Sequence, residues 1–399
     1  MNAADRLDAL IAPVIQARRT EGLYRQPRPL ARLGDTRVRL GGRECTVFCS
    51  NDYLGLSGHP EVVRAWCETA EHEGVGSGAS HLVSGHSVIH AQLEEALAEF
   101  VGRPRALLFS TGYMANMGLL NALVGPGDVA FEDQLNHASL LDGGWLSRGQ
   151  MRRYPHRDVA ALETALSERQ EGRAFIVTDA VFSMDGDLAP LSELVALANR
   201  TESHLVVDDA HGLGVLGPGG GGTPPALGLS HADVPVYVGT LGKAIGTFGA
   251  FVAGSETLID YLIQRARTYI YTTALPPALA AGTMAALQLA RREDWRRDKL
   301  SVLIARFRAG AEQLGLPCMP SMTPIQPLLL GDARAALQMG QALLDDGFLV
   351  TPIRPPTVPA GTARLRITLS AAHEESDVDR LLDALARHAH LLVAQEAAQ

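Results

Sequence analysis

The chain has 399 residues, of which 46% are hydrophobic and 20% are charged, and its formal net charge is −9. This length and composition predict two or three structural units with a sizeable core. The acidic balance argues against binding to nucleic acid or to an anionic membrane surface. No apolar stretch is long enough for a signal peptide or a membrane span, so we expect a cytoplasmic protein.

Metal and disulfide sites are not indicated by the cysteines or histidines. None of the four cysteines forms a C-x-x-C pair, and free thiols fit a reducing compartment. His86 and His90 are four residues apart and could share a helix face, but no third ligand accompanies them. The sequence therefore predicts no metal ion.

The predicted elements begin with an amphipathic helix over residues 1–22, where leucines, isoleucines and valines recur at helical spacing. From about residue 60, short apolar runs alternate with helical patterns. The predicted strands are 105–110, 128–133, 174–180, 204–210, 234–240 and 249–254, and the helices between them include 90–101, 113–123, 159–168 and 191–200. This alternation predicts an α/β fold with a doubly wound, mostly parallel sheet. The last two strands lie too close for a crossover helix, so one of them is expected to run antiparallel.

The C-terminal part of the chain predicts a smaller α+β domain. Helical patterns cover 256–268, 277–315, 333–346 and 375–394, and β-like segments lie between the later ones. We therefore divide the chain into an N-terminal helix and arm at 1–45, a large domain at 46–290 and a small domain at 291–399.

The segment VYVGTLGKAIGTFGAFVAG, residues 236–254, carries a single charged side chain, Lys243. Burial lowers the pKa of an amine, and a neutral lysine can form a Schiff base with an aldehyde cofactor. Pyridoxal phosphate enzymes combine such a lysine with an aspartate at the ring nitrogen. Asp208 closes the apolar run in HLVVDDAH, at a strand end where open α/β sheets bind ligands. The sequence therefore predicts a pyridoxal phosphate site.

A place for the phosphate is predicted by ALLFSTGYMANMGLLNAL, which has the pattern strand, tight turn, helix. Gly112 allows close approach of the backbone, and the helix start at Tyr113 offers N–H groups to a dianion. Thr240 can add a hydroxyl. His137 follows the strand at 128–133 and is the predicted stacking partner of the cofactor ring.

Six motifs, in this order and spacing, resemble the α-oxoamine synthases among the fold-type I pyridoxal phosphate enzymes. They are SNDYLGLSGHP, FSTGYMANMGLL, NHASLLDG, FSMDGDLAPL, VDDAHGLGVLG and GTLGKAIGTFGAF. Members of this family condense an amino acid with an acyl thioester and release carbon dioxide. The resemblance implies that Lys243 is the Schiff-base lysine and that Asp208 pairs with the ring nitrogen. It also implies three further groups of contacts: His211 and Ser183 at the ring oxygen, His137 on the ring face, and Gly112, Tyr113 and Thr240 around the phosphate.

Members of the family are homodimers with active sites at the subunit boundary. The resemblance implies that the segment YIYTTALPP, residues 269–277, reaches the phosphate site of the neighbouring subunit through Thr272 or Thr273. The chain is therefore expected to be a homodimer.

Within the family, CSNDYLGL and residues 353–374 most resemble the members that condense L-alanine with a pimeloyl thioester in biotin biosynthesis. The acyl carrier there is coenzyme A or acyl carrier protein. The resemblance implies that Arg366 binds the alanine carboxylate and that Arg25 and Thr357 contact substrate. In ARLRIT, Arg364 and Arg366 face the same way, so either could bind the carboxylate.

Two alternatives stay open at this point. A sister synthase would share the cofactor site but make 5-aminolevulinate, 2-amino-3-oxobutyrate or a sphingoid base. A non-catalytic scaffold would keep only the fold. The chain also departs from the family pattern: His81 and Leu82 replace a small residue followed by histidine, and Asp179 replaces glutamate. We expect these departures to bear on acyl preference rather than on cofactor use.

Overall fold

The computed structural model describes residues 2–169 and 172–392, and all statements below refer to that part of the chain. The strands, in chain order, are β1 Ala31–Arg32, β2 Arg37–Leu40, β3 Arg43–Val47, β4 Arg105–Phe109, β5 Val129–Asp133, β6 Gln150–Tyr154, β7 Ala174–Asp179, β8 His204–Asp208, β9 Val236–Thr240, β10 Ala250–Gly254, β11 Ile325–Gly331, β12 Phe348–Leu349, β13 Thr351–Ile353 and β14 Ala363–Thr368.

The helices surround three sheets formed by these strands. In chain order they are α1 Ala3–Thr20, α2 Pro60–Glu73, α3 Val88–Phe100, α4 Gly112–Leu123, α5 Ala138–Leu146, α6 Val159–Ser167, α7 Leu191–Arg200, α8 Thr223–Ala226, α9 Glu256–Arg265, α10 Arg267–Ile270, α11 Pro277–Arg292, α12 Trp295–Gln313, α13 Ala333–Asp345 and α14 Glu375–Arg387. The predicted helix over 375–394 ends at Arg387, and its residues 393 and 394 lie outside the described residues.

The central sheet has seven strands in the order β4-β10-β9-β8-β7-β5-β6. All its pairings are parallel except those of β10, which runs antiparallel to both β4 and β9. This confirms the α/β class, the mostly parallel sheet and the antiparallel strand expected near its end. The sequence analysis missed β6, because this edge strand, QMRRY, is largely exposed and has no apolar run.

Two smaller sheets are formed by strands of the N-terminal arm and of the C-terminal part of the chain. The strands β1, β2 and β3 form one sheet with β12, which pairs in parallel with β3, so the N-terminal arm and residues 348–349 share a sheet. The strands β11, β14 and β13 form an antiparallel sheet. The division of the chain at residues 45 and 290 stays a prediction.

Two predicted helices are each divided in the structure. The segment 256–268 contains α9 and the start of α10, and the segment 277–315 contains α11 and α12. The break between α11 and α12 lies beside Arg296, a buried residue whose side chain pairs with Glu293 and donates to the Leu54 carbonyl. Helix α1 forms as predicted, but none of its residues is buried. Among the described residues, no helix combines the length and apolarity that crossing a bilayer requires.

The parallel strands bring several polar side chains to one edge of the central sheet. Asp179 and Asp208 end the neighbouring strands β7 and β8 and lie opposite each other in the register. Thr240 ends β9, and α4 begins at Gly112, just after β4. The carboxyl ends of the strands therefore meet the N-terminus of α4, which is where open α/β sheets bind ligands.

Candidate active site

A cavity of about 190 Å³ lies at this edge of the sheet. It gathers eight of the thirteen side chains predicted from the sequence: Gly112, Tyr113, His137, Ser183, Asp208, His211, Thr240 and Lys243. Asn116, Ser139 and Asp179 also line it, and the sequence analysis did not assign these three to the site. Asn116 lies one helical turn after Gly112, and that spacing could have identified it.

Lys243 lies 2.9 Å, through its Nζ, from the Nε2 atom of His211. Burial lowers the pKa of Lys243 to about 8, although the nearby carboxylates of Asp208 and Asp179 oppose the shift. Burial, with the positive charges of Lys243 and Arg366, also holds the pKa of His211 well below its usual range. The site therefore contains a lysine that is readily deprotonated beside a neutral imidazole.

Tyr53, a fully buried residue, contacts the imidazole of His211 on the side opposite Lys243. The Tyr53 hydroxyl lies 2.7 Å from His211 Nδ1 and 3.1 Å from Asn51 Oδ1. This contact joins the SNDYLGL motif, residues 50–56, to the lysine side of the cavity.

Asp208 is a buried carboxylate that ends β8. Its Oδ1 accepts from the backbone N–H of Ala210 at 2.9 Å, and its Oδ2 accepts from Asn116 Nδ2 at 2.6 Å. These donors hold the carboxylate in one orientation and leave it able to accept one further hydrogen bond, such as that of a protonated ring nitrogen.

His137 caps the N-terminus of α5 and is exposed to the cavity. Its backbone N–H donates to Asp179 Oδ2 at 2.7 Å, and its Nδ1 lies 2.7 Å from Ser139 Oγ. Burial lowers the pKa of His137, and Asp208 opposes that shift. Asp179, which replaces the glutamate of the family pattern, therefore helps to place His137.

The start of α4 forms the end of the cavity where the sequence predicts the phosphate. The Thr111 hydroxyl caps this helix by accepting from Met114 N–H at 3.1 Å. A Cβ added at Gly112 would meet no atom within 4 Å, so open space faces this residue. Free N–H groups in the first turn of a helix favour a phosphate dianion. Thr240 lies at the same cavity.

These residues fit pyridoxal phosphate. The cavity contains the groups that this cofactor needs: the Lys243 amine with its lowered pKa, the buried Asp208 carboxylate, the His137 imidazole for the ring and the open N-terminus of α4 for the phosphate. In addition, Asn116 Oδ1 is a buried oxygen with no partner among the described residues, so the cavity contains an unused acceptor.

Thr272 and Thr273 line neither this cavity nor the larger one beside it. Thr273 forms an isolated bridge with Ser80. Within one chain, therefore, the segment 269–277 is not part of the site, and its contact with a neighbouring subunit stays a prediction.

A larger cavity of about 690 Å³ shares His137 and Ser183 with the first. Arg25 and Thr357, the two predicted substrate contacts, both line it, and Arg25 donates to the Thr357 hydroxyl at 3.4 Å. Its walls also include Leu135, Leu141, Phe182, Met184 and Val358. This cavity can hold an apolar chain with one anionic end.

Arg364 and Arg366 lie on the same face of β14 but have different partners. Arg364 forms a buried ion pair with Asp185. Arg366 is also buried, yet it donates to neutral groups: the Ser183 carbonyl at 2.5 Å and Asn51 Oδ1 at 3.2 Å. No carboxylate of the described residues pairs with Arg366. A buried guanidinium without a counter-ion favours an anionic ligand.

The other departures from the family pattern lie apart from both cavities. The ring of His81 stacks on Tyr269, and its Nδ1 lies 2.8 Å from His86 Nδ1. Leu82 is 52% exposed. His90 Nδ1 accepts from Ser87 N–H, and its Nε2 lies 2.6 Å from the Leu275 carbonyl. These histidines therefore hold α3 to the segment that follows α10.

The turn that carries Ser183 is held by a second charged cluster. His156 Nδ1 lies 2.9 Å from Asp133 Oδ1, and its Nε2 lies 2.9 Å from Asp187 Oδ2. Hydrogen bonds to both carboxylates raise the pKa of His156 to about 9, although burial opposes this shift. The imidazolium thus links β5 to the turn at residues 183–187.

We expect this cluster to make stability depend on pH. Because the pKa of His156 is higher in the folded state than the unfolded value of about 6.5, its contribution is fully present below pH 6.5 and is lost as the pH rises towards 9. A shift of this size corresponds to about 3 kcal/mol at most.

The free energy of unfolding, measured with denaturant between pH 6 and 9.5, should therefore fall more steeply with pH for the wild type than for His156→Gln. His72→Gln, on the exposed face of α2, is the control and should keep the wild-type slope. Equal slopes for the wild type and His156→Gln would contradict the assignment.

Comparison with known proteins identifies the family. The sequence matches the family "Aminotransferase class I and II" over residues 43–385. It is 59% identical over 371 residues to the 8-amino-7-oxononanoate synthase of Nitrosococcus oceani, covering 93% of this chain and 98% of that protein. It is 57% identical to the enzyme of the same name from Marinobacter nauticus, covering 97% and 99%. The chain belongs to the 8-amino-7-oxononanoate synthases.

Solved structures agree on the fold and the cofactor. A serine palmitoyltransferase from S. paucimobilis with bound PLP and myriocin superposes with a TM-score of 0.92 at 30% identity, covering 98% of this chain and 99% of that one. The 8-amino-7-oxononanoate synthase of Francisella tularensis superposes with a TM-score of 0.76 at 31% identity, covering 87% and 98%. The fold and pyridoxal phosphate dependence predicted from the sequence are confirmed, and the protein is an acyltransferase. Because sister enzymes share the fold, the higher sequence identity to the 8-amino-7-oxononanoate synthases decides between them, and the sister-synthase alternative is not favoured.

Proposed function

We propose that the protein condenses L-alanine with a pimeloyl thioester and releases 8-amino-7-oxononanoate, carbon dioxide and the free thiol, as a step of biotin biosynthesis. The observation that carries the proposal is the buried Arg366, which has no carboxylate partner and lies beside the cavity that contains Lys243 and Asp208. The names of the relatives support the same reaction.

Lys243 is the residue that moves the proton. Pyridoxal phosphate held by these residues would withdraw electrons from the Cα of the amino acid and so make its Cα–H bond acidic. The base that takes this proton must be neutral, and a pKa of about 8 leaves a useful fraction of Lys243 deprotonated near neutral pH. Lys243 returns a proton to the same carbon after carbon dioxide has left.

Three other residues orient the reactants. Arg366 binds the carboxylate of alanine through its guanidinium fork. Asp208, held by Asn116 and the Ala210 N–H, keeps the proton on the ring nitrogen. His137, which lines the cavity, would contact the face of the cofactor ring and fix its plane, which is a positioning role. The Cα of alanine then attacks the thioester carbonyl, the thiol leaves, and the carboxylate is lost as carbon dioxide.

The pimeloyl chain occupies the larger cavity. That cavity adjoins the first through His137 and Ser183, so a chain placed there has its thioester near the alanine Cα. Its apolar walls suit the methylene groups of the acyl chain. Arg25 and Thr357, which touch each other, supply the polar contact. Either coenzyme A or acyl carrier protein can deliver the chain.

We also propose a homodimer in the cytoplasm. In the dimer, Thr272 or Thr273 approaches the phosphate site of the partner subunit, which agrees with their place outside the site of their own chain. The four cysteines are all free, which suits a reducing compartment.

Arg366→Ala should raise the KM for L-alanine by about 10- to 100-fold, because a charge-assisted hydrogen bond contributes about 1.5–3 kcal/mol. The matched variant is Arg364→Ala on the same face of β14. Its loss breaks a buried ion pair, so it should lower stability by about 3–5 kcal/mol and leave the KM for alanine nearly unchanged. Initial rates and denaturant unfolding measure both. If Arg364→Ala alone raised the alanine KM, the carboxylate would belong to Arg364.

The overall proposal is tested by mass spectrometry of products from the protein supplied with pyridoxal phosphate. L-Alanine, glycine and L-serine are each combined with pimeloyl, succinyl, acetyl and palmitoyl thioesters, with pimeloyl supplied on coenzyme A and on acyl carrier protein. Product from alanine and a pimeloyl thioester alone supports the proposal. Product from glycine and a short acyl group would make it a sister synthase, and no product from any pair would support the scaffold.

A further inference from the structure

A chain of hydrogen bonds links Asp208 to His137 through two buried side chains that no assigned role explains. Asn116 Nδ2 donates to Asp208 Oδ2 at 2.6 Å and to Ser139 Oγ at 2.9 Å. Ser139 Oγ in turn lies 2.7 Å from His137 Nδ1. Asn116 and Ser139 are each 1% exposed, so bulk water does not compete for these bonds.

The donor and acceptor of every hydrogen bond in this series follow from the Asp208 carboxylate. An ionised carboxylate only accepts hydrogen bonds, so Asn116 must turn its NH₂ group towards Asp208. The same NH₂ group donates to Ser139 Oγ, which leaves the Ser139 hydroxyl hydrogen for His137. His137 Nδ1 is therefore the acceptor, and it also accepts from Ser139 N–H at 3.3 Å.

The opposite orientation of the Asn116 amide is excluded by the same contacts. It would place Oδ1 against the Asp208 carboxylate, two acceptors in hydrogen-bond contact. It would also leave the NH₂ group where Oδ1 now has no partner. Burying unpartnered donors is costly, so one orientation is strongly preferred.

We propose that Asn116 and Ser139 are positioning residues that fix the ring tautomer of His137, with Nδ1 unprotonated and the hydrogen on Nε2. This inference rests on the proposed function, since His137 acts there on the face of the ring. His137 lines both cavities, so its Nε2–H is the polar group that remains for the carboxylate of alanine or the thioester carbonyl. The same carboxylate that holds the ring nitrogen thereby determines which imidazole nitrogen donates to substrate.

The test measures the tautomer directly. Enzyme loaded with pyridoxal phosphate and carrying ¹⁵N-labelled histidine rings is examined by long-range ¹H–¹⁵N correlation NMR, which distinguishes Nδ1–H from Nε2–H. The signal of His137 is assigned as the one lost in His137→Gln. The proposal expects Nε2–H in the wild type, and finding Nδ1–H there overturns it.

Two variants test the link. In Asn116→Asp the new carboxyl group cannot donate a hydrogen bond to Ser139 Oγ, whether it is ionised or carries its proton on the side of Asp208. The Ser139 hydroxyl then donates to this carboxyl group instead of to His137, and the hydrogen of the His137 ring should move to Nδ1. Ser139→Ala removes the hydroxyl and leaves only the longer contact from the backbone N–H of residue 139, at 3.3 Å, as a donor to Nδ1, so the preference should weaken to a mixture of tautomers. Both should lower kcat by about 10- to 100-fold.

The matched control is Asn121→Asp, the same substitution on the same helix. Asn121 donates to the Leu146 carbonyl and has no contact with His137, so the tautomer and kcat should stay as in the wild type. An Nε2–H signal in both Asn116→Asp and Ser139→Ala overturns the proposal, whatever their activity. The NMR measurement of the tautomer does not require turnover. Failure of the proposed reaction would instead appear as wild-type enzyme that makes no product, so the two results are independent.

Discussion

Replacing Lys243 by alanine should lower kcat by about 10⁴-fold or more, because the same amine holds the cofactor and moves the Cα proton, and loss of one general base alone costs about 10²–10⁴-fold. The fold should survive, since the lysine is only partly buried and its contact with His211 is a single hydrogen bond. Product formation by mass spectrometry and thermal unfolding together measure these effects.

The chain offers a sharp control for this variant, because it contains only two lysines, Lys243 and Lys299. Lys299 pairs with Glu374 on the surface. Borohydride reduction of the loaded enzyme, followed by peptide mapping, should place the cofactor on Lys243 in the wild type and in Lys299→Arg. Label on Lys299, or steady-state turnover retained by Lys243→Ala, would remove Lys243 from its assigned role.

Asp208→Asn should lower the rate of alanine Cα–H exchange by about 10²–10³-fold, the loss typical when one preorganised charge is removed from an active site. The physical reason is that a neutral amide does not hold a proton on the ring nitrogen as a carboxylate does. Exchange of the Cα hydrogen in D₂O, followed by NMR, reports this step without the acyl donor. Cofactor binding should be retained in part, because Lys243 and the start of α4 are unchanged.

The neighbouring Asp209 provides the matched control. This buried carboxylate accepts from Thr223 and Tyr237, and burial raises its pKa to about 7. Asp209→Asn should therefore lower stability and leave Cα–H exchange within a few-fold of the wild type. An exchange rate unaffected by Asp208→Asn, or equally reduced in both variants, would contradict the role of Asp208.

Much of the fold could be predicted because its signals are local. All six predicted strands match β4, β5, β7, β8, β9 and β10 within two residues at each end. Their apolar runs are buried on both faces, which gives a strong signal in sequence. The edge strand β6 was missed because exposed polar residues on both of its faces interrupt any such run. The break between α11 and α12 was missed because its local sequence has no glycine or proline, and the nearby contact of Arg296 with a carbonyl 242 residues away cannot be read from the sequence.

The sequence by itself determined the chemistry of the site: an amine in an apolar segment, an acid at a strand end and a glycine at a helix start, each recognisable from its immediate neighbours. Only the tertiary structure distinguishes Arg364 from Arg366, because their partners come from distant segments, Asp185 for one and Asn51 for the other. It also revealed the link from Asp208 through Asn116 and Ser139 to His137. Hydrogen bonds depend on distances of a few tenths of an ångström between elements far apart in the chain, and the order of residues does not contain those distances.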